Sequence, residues 1–374
     1  MSTLRKSNAK GSAINLLMIA ALFLIVFILS QTMDNNAYRR TLVPIIWQLC
    51  IFILLGTSLN LSLGFMGQLT LGHMGFMAIG AYTTALLSLA LERAEIFSVK
   101  DASTGMVYLS ILGFILVGAI LAGLVGLLVG IPALRLRGDY LAIVTLGFGL
   151  IVVNLIANIP YAGGDGLAQG TASSSLYATG LGLSTKMQAK YIWLVLGVTI
   201  VSVAVMFLFI NSKYGRAIKA IRDDDIAAGA SGVNTTYYKI LTFAISAFFA
   251  GLSGGLYATC FSSLSTASFS FASSSIWDST FIVVLVVLGG MGSLTGSVVS
   301  AIIMYMLNYE IKNGAWVESM PGIIQTLFNY PMLIYAVILM IFIIFRPRGI
   351  MGTYEFNPGS ILMRGRNKEA KGNG

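Results

Sequence analysis

Two stretches of this chain, residues 41–91 and 279–309, contain no Asp, Glu, Lys or Arg. A transmembrane helix needs about 20 consecutive apolar residues, so the first stretch is long enough for two helices. Only 10% of the 374 residues are charged, whereas soluble globular proteins carry roughly 25% charged residues. This low fraction excludes a soluble globular protein. It predicts an all-helical, polytopic membrane protein.

Apolar segments along the whole chain predict about ten membrane spans. Glycine-rich regions at 64–75 and 289–296 divide each uncharged stretch into two spans. The first apolar run is longer than a signal-peptide core, and we interpret it as a retained span. Pro331 marks either a kink in the last span or its true start. The predicted spans are residues 13–30, two within 41–91, 106–131, 140–159, 191–210, 240–261, two within 279–309, and 323–345.

The distribution of basic residues predicts the orientation of these spans. When the N-terminus is placed in the cytosol, the cytosolic segments hold more than twice as many of the 23 Lys and Arg residues as the outer segments hold. Because cytosolic loops are enriched in Lys and Arg, we predict an even number of spans with both termini cytosolic. Residues 1–352 then form one transmembrane domain, and residues 353–374 form a cytosolic basic tail. An outer loop at 160–190 is either a flexible connector or a docking surface.

Residues 211–239 form a charged segment on the predicted cytosolic side. Basic residues recur at every third position from Lys213 to Arg222, which predicts an amphipathic helix that continues the preceding span. Three aspartates at 223–225 then favour a helix N-cap, and Gly232 favours a helix end. The short helix predicted between them carries mostly very small side chains. It is either an ordinary capped turn or a helix suited to a shallow groove on another subunit.

Within this segment, Ala227, Ala228, three further residues and Gly232 match the A-A-x-x-x-G core of the loop by which ABC importer permeases engage their ATPases. Ile226 stands where the general permease loop has Glu. With several longer blocks, the chain resembles the permeases of branched-chain amino acid ABC importers, in their LivM-type branch. These blocks are LGHMGFMAIGAYT at 71–83, LRLRGDYLAIVTLGFG at 134–149, the run from 215 to 258, VVLGGMGSLTG at 286–296 and FRPRGIMG at 345–352.

The resemblance implies a permease subunit in the plasma (inner) membrane of a bacterium, which moves a substrate delivered by an extracytoplasmic binding protein. It also implies a second, related permease subunit and two cytosolic ABC ATPases as partners. Asp225, Ala227, Ala228 and Gly232 are then the residues that couple the permease to an ATPase. The partner subunits bind ATP, and we expect no cofactor, catalytic residue or metal ligand in this chain.

Residue patterns in the chain agree with a transport subunit rather than an enzyme. No G-x-x-x-x-G-K-[ST] sequence occurs, so the phosphate-binding loop of many ATPases is missing. An LSGG sequence at 252–255 resembles the ABC ATPase signature, but it lies within an apolar segment, and we interpret Gly251 and Gly255 as a small-xxx-small helix contact. His73 is the single histidine, so we predict neither a His-rich metal site nor a His-activated nucleophile.

A short repeat occurs once in each half of the chain. LGFMGQLT at 63–70 and LGGMGSLT at 288–295 are identical at six of eight positions. Paired glycine-interrupted helices often mark a translocation site, because their exposed backbone groups are tolerated only beside a cavity. The alternative is a pair of tight turns at which helices cross closely. His73 either lines the path or packs through a hydrogen bond. The predicted path residues are Gly64, Gly67, His73, Gly289 and Gly292.

Two other functions are compatible with the sequence. Permeases for urea or short amides are similar to those for branched-chain amino acids, and no pocket that distinguishes the substrates can be read from the chain. An ion-coupled secondary transporter is the alternative from another class. Such transporters usually need carboxylates inside the membrane, and the predicted spans are almost free of them.

Overall fold

The computed structural model describes residues 36–93, 104–134, 136, 138–159, 185–261, 264, 266–269, 279–313, 331–345 and 349–352. The predicted first span, most of the outer loop and the basic tail lie outside these residues. Within the described ranges every regular element is helical, which confirms the all-helical fold class. Helices are the expected form for apolar runs in a bilayer, because a helix satisfies its backbone polar groups within one segment.

Eleven α-helices are present in the described part of the chain. A π-helical turn, Leu61–Phe65, extends the first of them, and a 3₁₀ turn, Thr266–Phe269, follows the eighth. The helices are α1 Asn36–Asn60, α2 His73–Arg93, α3 Thr104–Ala133, α4 Asp139–Asn158, α5 Thr185–Asn211, α6 Lys213–Asp223, α7 Asp225–Ala230, α8 Thr235–Cys260, α9 Ser279–Gly289, α10 Leu294–Asn313 and α11 Pro331–Phe345.

Six helical segments among the described residues are long and apolar enough to cross a membrane, and α9 is a shorter apolar helix. The predicted break inside 279–309 is confirmed as the separation between α9 and α10. The total of about ten spans and the positions of the termini stay predictions. The six segments are Leu42–Phe65, Gly105–Ala133, Tyr140–Asn158, Ile192–Asn211, Thr235–Cys260 and Leu294–Ile311.

Helix α8 lies at the centre of the bundle, packed most extensively against α2 and α3. Gly251 and Gly254 of α8 allow this close approach, because they have no side chain. A Cβ atom on Gly254 would overlap the carbonyl of Met77 on α2, and one on Gly251 would overlap Ala122 on α3. Small residues at such contacts let helix backbones come together in a membrane. The LSGG sequence is therefore a helix-packing element, as predicted.

Helix α1 joins this core to the second half of the chain, where it packs against α9 and α10. The fully buried ring of Phe52 meets Phe281 of α9 edge to face, with 5.6 Å between the ring centroids. Tyr305 of α10 donates a hydrogen bond of 3.1 Å to Oε1 of Gln48. The two copies of the repeat lie at the C-terminal ends of α1 and α9. These contacts therefore hold the copies close to each other.

The helices α3, α4 and α5 each bury one side and expose the other. Their exposed residues are large and aliphatic, which suits contact with acyl chains rather than with water. This pattern matches a membrane environment for the bundle. Examples are Leu109, Leu116, Leu124 and Leu128 on α3, Ile143, Ile151 and Leu155 on α4, and Val201 and Leu208 on α5.

The amphipathic helix α6 is confirmed, but it does not continue the preceding span. Helix α5 ends at Asn211, and Ser212 begins a new helix by accepting a 3.1 Å hydrogen bond from the N–H of Tyr214. Gly215 lies so close to the carbonyl of Ile210 that a Cβ atom would overlap it. The charge periodicity of residues 213–222 predicts a helix with one polar face. This periodicity does not indicate whether that helix shares an axis with the preceding span.

Candidate functional site

The short helix α7 forms within the charged segment, as the sequence predicts. Oδ1 of Asp224 accepts hydrogen bonds of 2.9 Å from the N–H groups of both Ile226 and Ala227, which is the geometry of an N-cap. Beyond the C-terminal end, Gly232 has φ of +85°. Only a residue that tolerates the left-handed region ends a helix in this way, so both ends of α7 are encoded locally.

Asp225 attaches α7 to the beginning of α8. Its Oδ2 lies 2.6 Å from Nζ of Lys239. Ala228 is buried on the inner side of the short helix, whereas Ala227 is exposed and Ile226 has 79% of its surface exposed. The outer side of α7 therefore presents a shallow surface with one large apolar side chain. Sequence reasoning noted Ile226 as a departure from the general permease loop, but it did not assign the residue a role.

Helix α6 lies against both copies of the repeat. We call residues 66–72 the first turn and residues 290–293 the second turn. A Cβ atom built on Gly67 would lie 3.1 Å from Cγ of Arg222. A Cβ atom built on Gly292 would lie 2.6 Å from Nη1 of the same arginine. Lys219 places its Nζ 5.4 Å from the centroid of the Phe65 ring. The charged segment and the repeats therefore form one continuous region.

The two copies of the repeat also touch each other. A Cβ atom on Gly64 would lie 2.5 Å from the backbone nitrogen of Gly292. Gly67 and Gly292 have φ values of +73° and +94°, so each occupies a tight turn that disfavours other residues. The structure thus brings together Gly64, Gly67 and Gly292, which the sequence grouped only by their repeated spacing.

Asn60 links the two copies, and sequence reasoning missed it. Its Nδ2 donates to the carbonyl of Ser293 at 2.8 Å and to Oγ of Ser297 at 2.7 Å, while its Oδ1 accepts from the N–H of Gly292 at 3.0 Å. The side chain is completely buried. The sequence does show an amide side chain in an uncharged stretch shortly before the first repeat. This position alone does not indicate which distant groups bind the amide.

Gly289 serves a different contact from the other predicted glycines. A Cβ atom on it would lie 2.6 Å from the carbonyl oxygen of Gly296 and 2.7 Å from Oγ of Ser300. Ser300 in turn donates a 2.8 Å hydrogen bond to the carbonyl of Leu285. Gly289 therefore allows α9 and α10 to cross closely, next to the second turn.

His73 is buried at the start of α2, with its Nε2 2.7 Å from Oγ of Ser58. The same hydroxyl donates to the carbonyl of Leu55 at 2.8 Å. Because a hydroxyl has one proton, the Nε2–H of His73 acts as the donor to Ser58 in this arrangement. The geometry matches the packing alternative for His73. A role in the path stays a prediction.

The segment at the end of the described chain, residues 349–352, caps the C-terminal end of α9. The N–H groups of Ile350 and Met351 donate to the carbonyls of Leu288 at 2.8 Å and Gly289 at 3.2 Å. Gly349 approaches Gly290 so closely that its Cβ position lies 2.6 Å from the Gly290 Cα. The last carbonyls of a helix lack partners within the helix, and here a distant segment supplies them.

A groove of about 710 Å³ lies elsewhere, between α3, α5 and α8. Its lining is almost entirely apolar and includes Tyr108, Leu112, Leu116, Trp193, Val198 and Leu252. None of the predicted path residues contributes to it. The groove therefore offers no support for a polar passage.

Comparison with known proteins places these features in context. A family model described as "Branched-chain amino acid transport system / permease component" matches residues 41–345. The high-affinity branched-chain amino acid transport system permease protein LivM of Escherichia coli (strain K12) is 33% identical over 351 residues, which covers 88% of this chain and 74% of that protein. LivM of Salmonella typhimurium is 33% identical over 356 residues with the same coverage. No solved structure shows a significant match.

Proposed function

The chain belongs to the family of branched-chain amino acid transport permeases, and from that premise we propose that it is the membrane-spanning permease subunit of an ATP-driven importer for branched-chain amino acids. The observation that carries this proposal is 33% identity to LivM over 88% of the chain. The resemblance predicted from the sequence blocks agrees with this family. Urea or amide transport and ion-coupled transport are not favoured by either relative.

The subunit works in a complex. Its partners are a second, related permease, two cytosolic ABC ATPases that bind and hydrolyse ATP, and an extracytoplasmic binding protein that delivers the substrate. The exposed outer side of α7 supports an ATPase partner, because a shallow surface with one protruding Ile226 fits a groove. Burying a side chain of this size from water contributes about 1.5–3 kcal/mol.

The residues of the short helix have distinct roles in coupling. Asp225 holds α7 to α8 through Lys239, and Ala228 packs inward, so movement of α7 passes to the bundle. Ala227 leaves room for the ATPase surface. Gly232 fixes the direction in which the chain leaves α7. When the ATPases approach each other, α7 moves and the spans rock, which opens the substrate site to alternate sides.

The permease lies in a bacterial plasma (inner) membrane with about ten spans and both termini in the cytosol. The basic residues of α6 support this orientation, because Lys213, Arg216, Lys219 and Arg222 all lie on this one short helix, and Arg222 lies beside both turns. The transmembrane domain covers residues 1–352, with the tail at 353–374 on the cytosolic side.

The translocation path runs near the two repeats. Gly64, Gly67, His73, Gly289 and Gly292 line this path or hold its walls. The proposal is supported because each repeat separates two successive helices and because Gly64 of the first repeat lies against Gly292 of the second. In the conformation described, Gly64 and Gly292 are in contact. A passage between the repeats therefore requires that the two turns separate.

Reconstitution tests the proposed function. The chain is co-expressed with its partner permease and ATPases, and the purified complex is inserted into liposomes with the binding protein outside. We expect uptake of radiolabelled leucine, isoleucine or valine that requires ATP. Uptake of urea instead of these amino acids, or uptake driven by an ion gradient without the ATPases, would refute the proposal.

A further inference from the structure

The second turn is contacted by three segments that are distant in the sequence. Asn60 of α1 bonds to it, Arg222 of α6 lies on its Gly292, and Gly349 approaches its Gly290. Among the described residues this turn thus connects the charged segment, the first repeat and the end of the chain. A movement of any of these segments must displace the turn or break a contact with it.

The contact with α6 depends on the absence of a side chain at Gly292. The Nη1 atom of Arg222 occupies the space that a Cβ atom would need, at 2.6 Å from its ideal position. Cγ of the same arginine lies 3.1 Å from the ideal Cβ position of Gly67 in the first turn. One side chain of α6 therefore touches both turns. Since Arg222 is three residues from the start of α7, it is the nearest basic residue of α6 to that helix.

The contact with α1 is made by hydrogen bonds rather than by shape alone. The Asn60 amide uses both its donor and its acceptor on the second turn and on the first helical turn of α10. Gly64 makes room for it, because a Cβ atom at Gly64 would overlap Oδ1 of Asn60. The π-helical turn that carries Gly64 begins immediately after Asn60. Such turns occur frequently at functional sites.

The helices on either side of the second turn are tied to each other. Ser300 of α10 bonds to the carbonyl of Leu285 on α9, and Gly289 packs on Gly296. Ile350 and Met351 cap the end of α9. A displacement of the turn is therefore transmitted to α9 and α10 together, because packed helices move as units.

We propose that the second turn receives the movement of the α6–α7 segment and transmits it to α9 and α10, with Arg222 and Asn60 as positioning residues. This proposal rests on the proposed function, since it assumes that an ATPase moves α7. Arg222 transfers displacement to both turns, and Asn60 connects α1 to the second turn and to the start of α10. Neither residue needs to touch substrate or nucleotide.

The test measures amino acid transported per ATP hydrolysed by the reconstituted complex. The variants are Arg222→Gln, which keeps a shorter polar side chain at an exposed position but removes the guanidinium group that lies on Gly292, and Asn60→Leu, which keeps the branched shape of the side chain but removes the amide. Ser297→Ala is a milder alternative that removes one partner of Asn60. Asn154→Leu is the matched control, because Asn154 is exposed on α4 and its Nδ2 bonds to Leu150 of its own helix.

We expect the complex to assemble and to hydrolyse ATP with each variant, while the transport-to-hydrolysis ratio falls about fivefold or more for Arg222→Gln and Asn60→Leu. The ratio should fall less for Ser297→Ala and stay unchanged for Asn154→Leu. An unchanged ratio in assembled Arg222→Gln complex would overturn the proposal, even if Asn60→Leu fails to assemble. If the unmodified complex does not transport amino acids at all, the proposed function fails instead.

Discussion

Oδ2 of Asp225 and Nζ of Lys239 lie 2.6 Å apart and connect the short helix α7 to α8. The lysine side chain is 15% exposed and the aspartate side chain 36% exposed, so the pair is only partly screened by water. In its C-terminal half, helix α8 is buried at every residue from Phe249 to Cys260. The ion pair thus connects an exposed element to the centre of the protein.

Reversing this ion pair tests its role in coupling. Asp225→Lys places two like charges together, and we expect a clear loss of ATP-driven uptake. The double variant with Lys239→Asp should recover part of it, because the attraction is restored in the opposite sense. The interaction contributes about 1 kcal/mol, as expected for a pair near the surface. Asp223→Ala, at the end of α6, is the control. Equal losses in the single and double variants would show that the pair itself is not required.

Ile226 is the residue of α7 with the largest effect expected on ATPase binding. Replacing it by Lys should leave the permease folded, because the side chain is 79% exposed. It should weaken ATPase association by about tenfold or more, since an apolar contact is lost and a charge is introduced. Co-purification of the ATPase on the tagged permease measures this. Tyr237→Ser removes an exposed aromatic side chain outside α7 and should have no effect. Undiminished co-purification with Ile226→Lys would contradict the prediction.

Gly67 and Gly292 should not tolerate larger residues. Leu at either position costs about 1–2 kcal/mol for the left-handed backbone alone, and at Gly292 it also displaces Arg222. We expect lower thermal stability and loss of uptake for both. The control is Gly113→Leu on α3, where a Cβ atom meets nothing within 4 Å. Unchanged uptake with normal assembly would remove both glycines from the path and from the coupling region.

Removing the hydrogen bond between Ser58 and His73 distinguishes two roles for the histidine, which are helix packing and contact with the substrate. Ser58→Ala leaves the buried Nε2–H without this partner, and an unsatisfied buried group costs about 1–3 kcal/mol. If His73 packs the helices, the melting temperature falls while the KM for uptake stays the same. We expect this result from the geometry. A changed KM at unchanged melting temperature would instead indicate that His73 faces the substrate. Ser110→Ala on α3, whose hydroxyl bonds only to its own helix turn, is the control.

Local features of the site could be read from the sequence. The aspartates before Ile226 and the glycine at 232 define α7, because a cap and a helix end each depend on groups within a few residues. The glycines of the repeat mark two turns for the same reason, since a positive φ is a property of one residue. Long apolar runs predict the helices of the bundle because the bilayer permits few other structures.

The sequence alone does not pair these features in space. Asn60 and Ser293 are separated by 233 positions, and nothing in the spacing of either indicates the hydrogen bond between them. The same is true of Arg222 lying on Gly292 and of Ile350 closing α9. The continuation of α5 into α6, which charge periodicity predicts, is wrong, because a new helix begins after Ser212. These relationships depend on how whole helices pack, which is decided by the sum of many contacts rather than by any one residue. The sequence by itself thus determined the all-helical class, the two ends of α7 and the family, while the tertiary structure decided which distant segments meet.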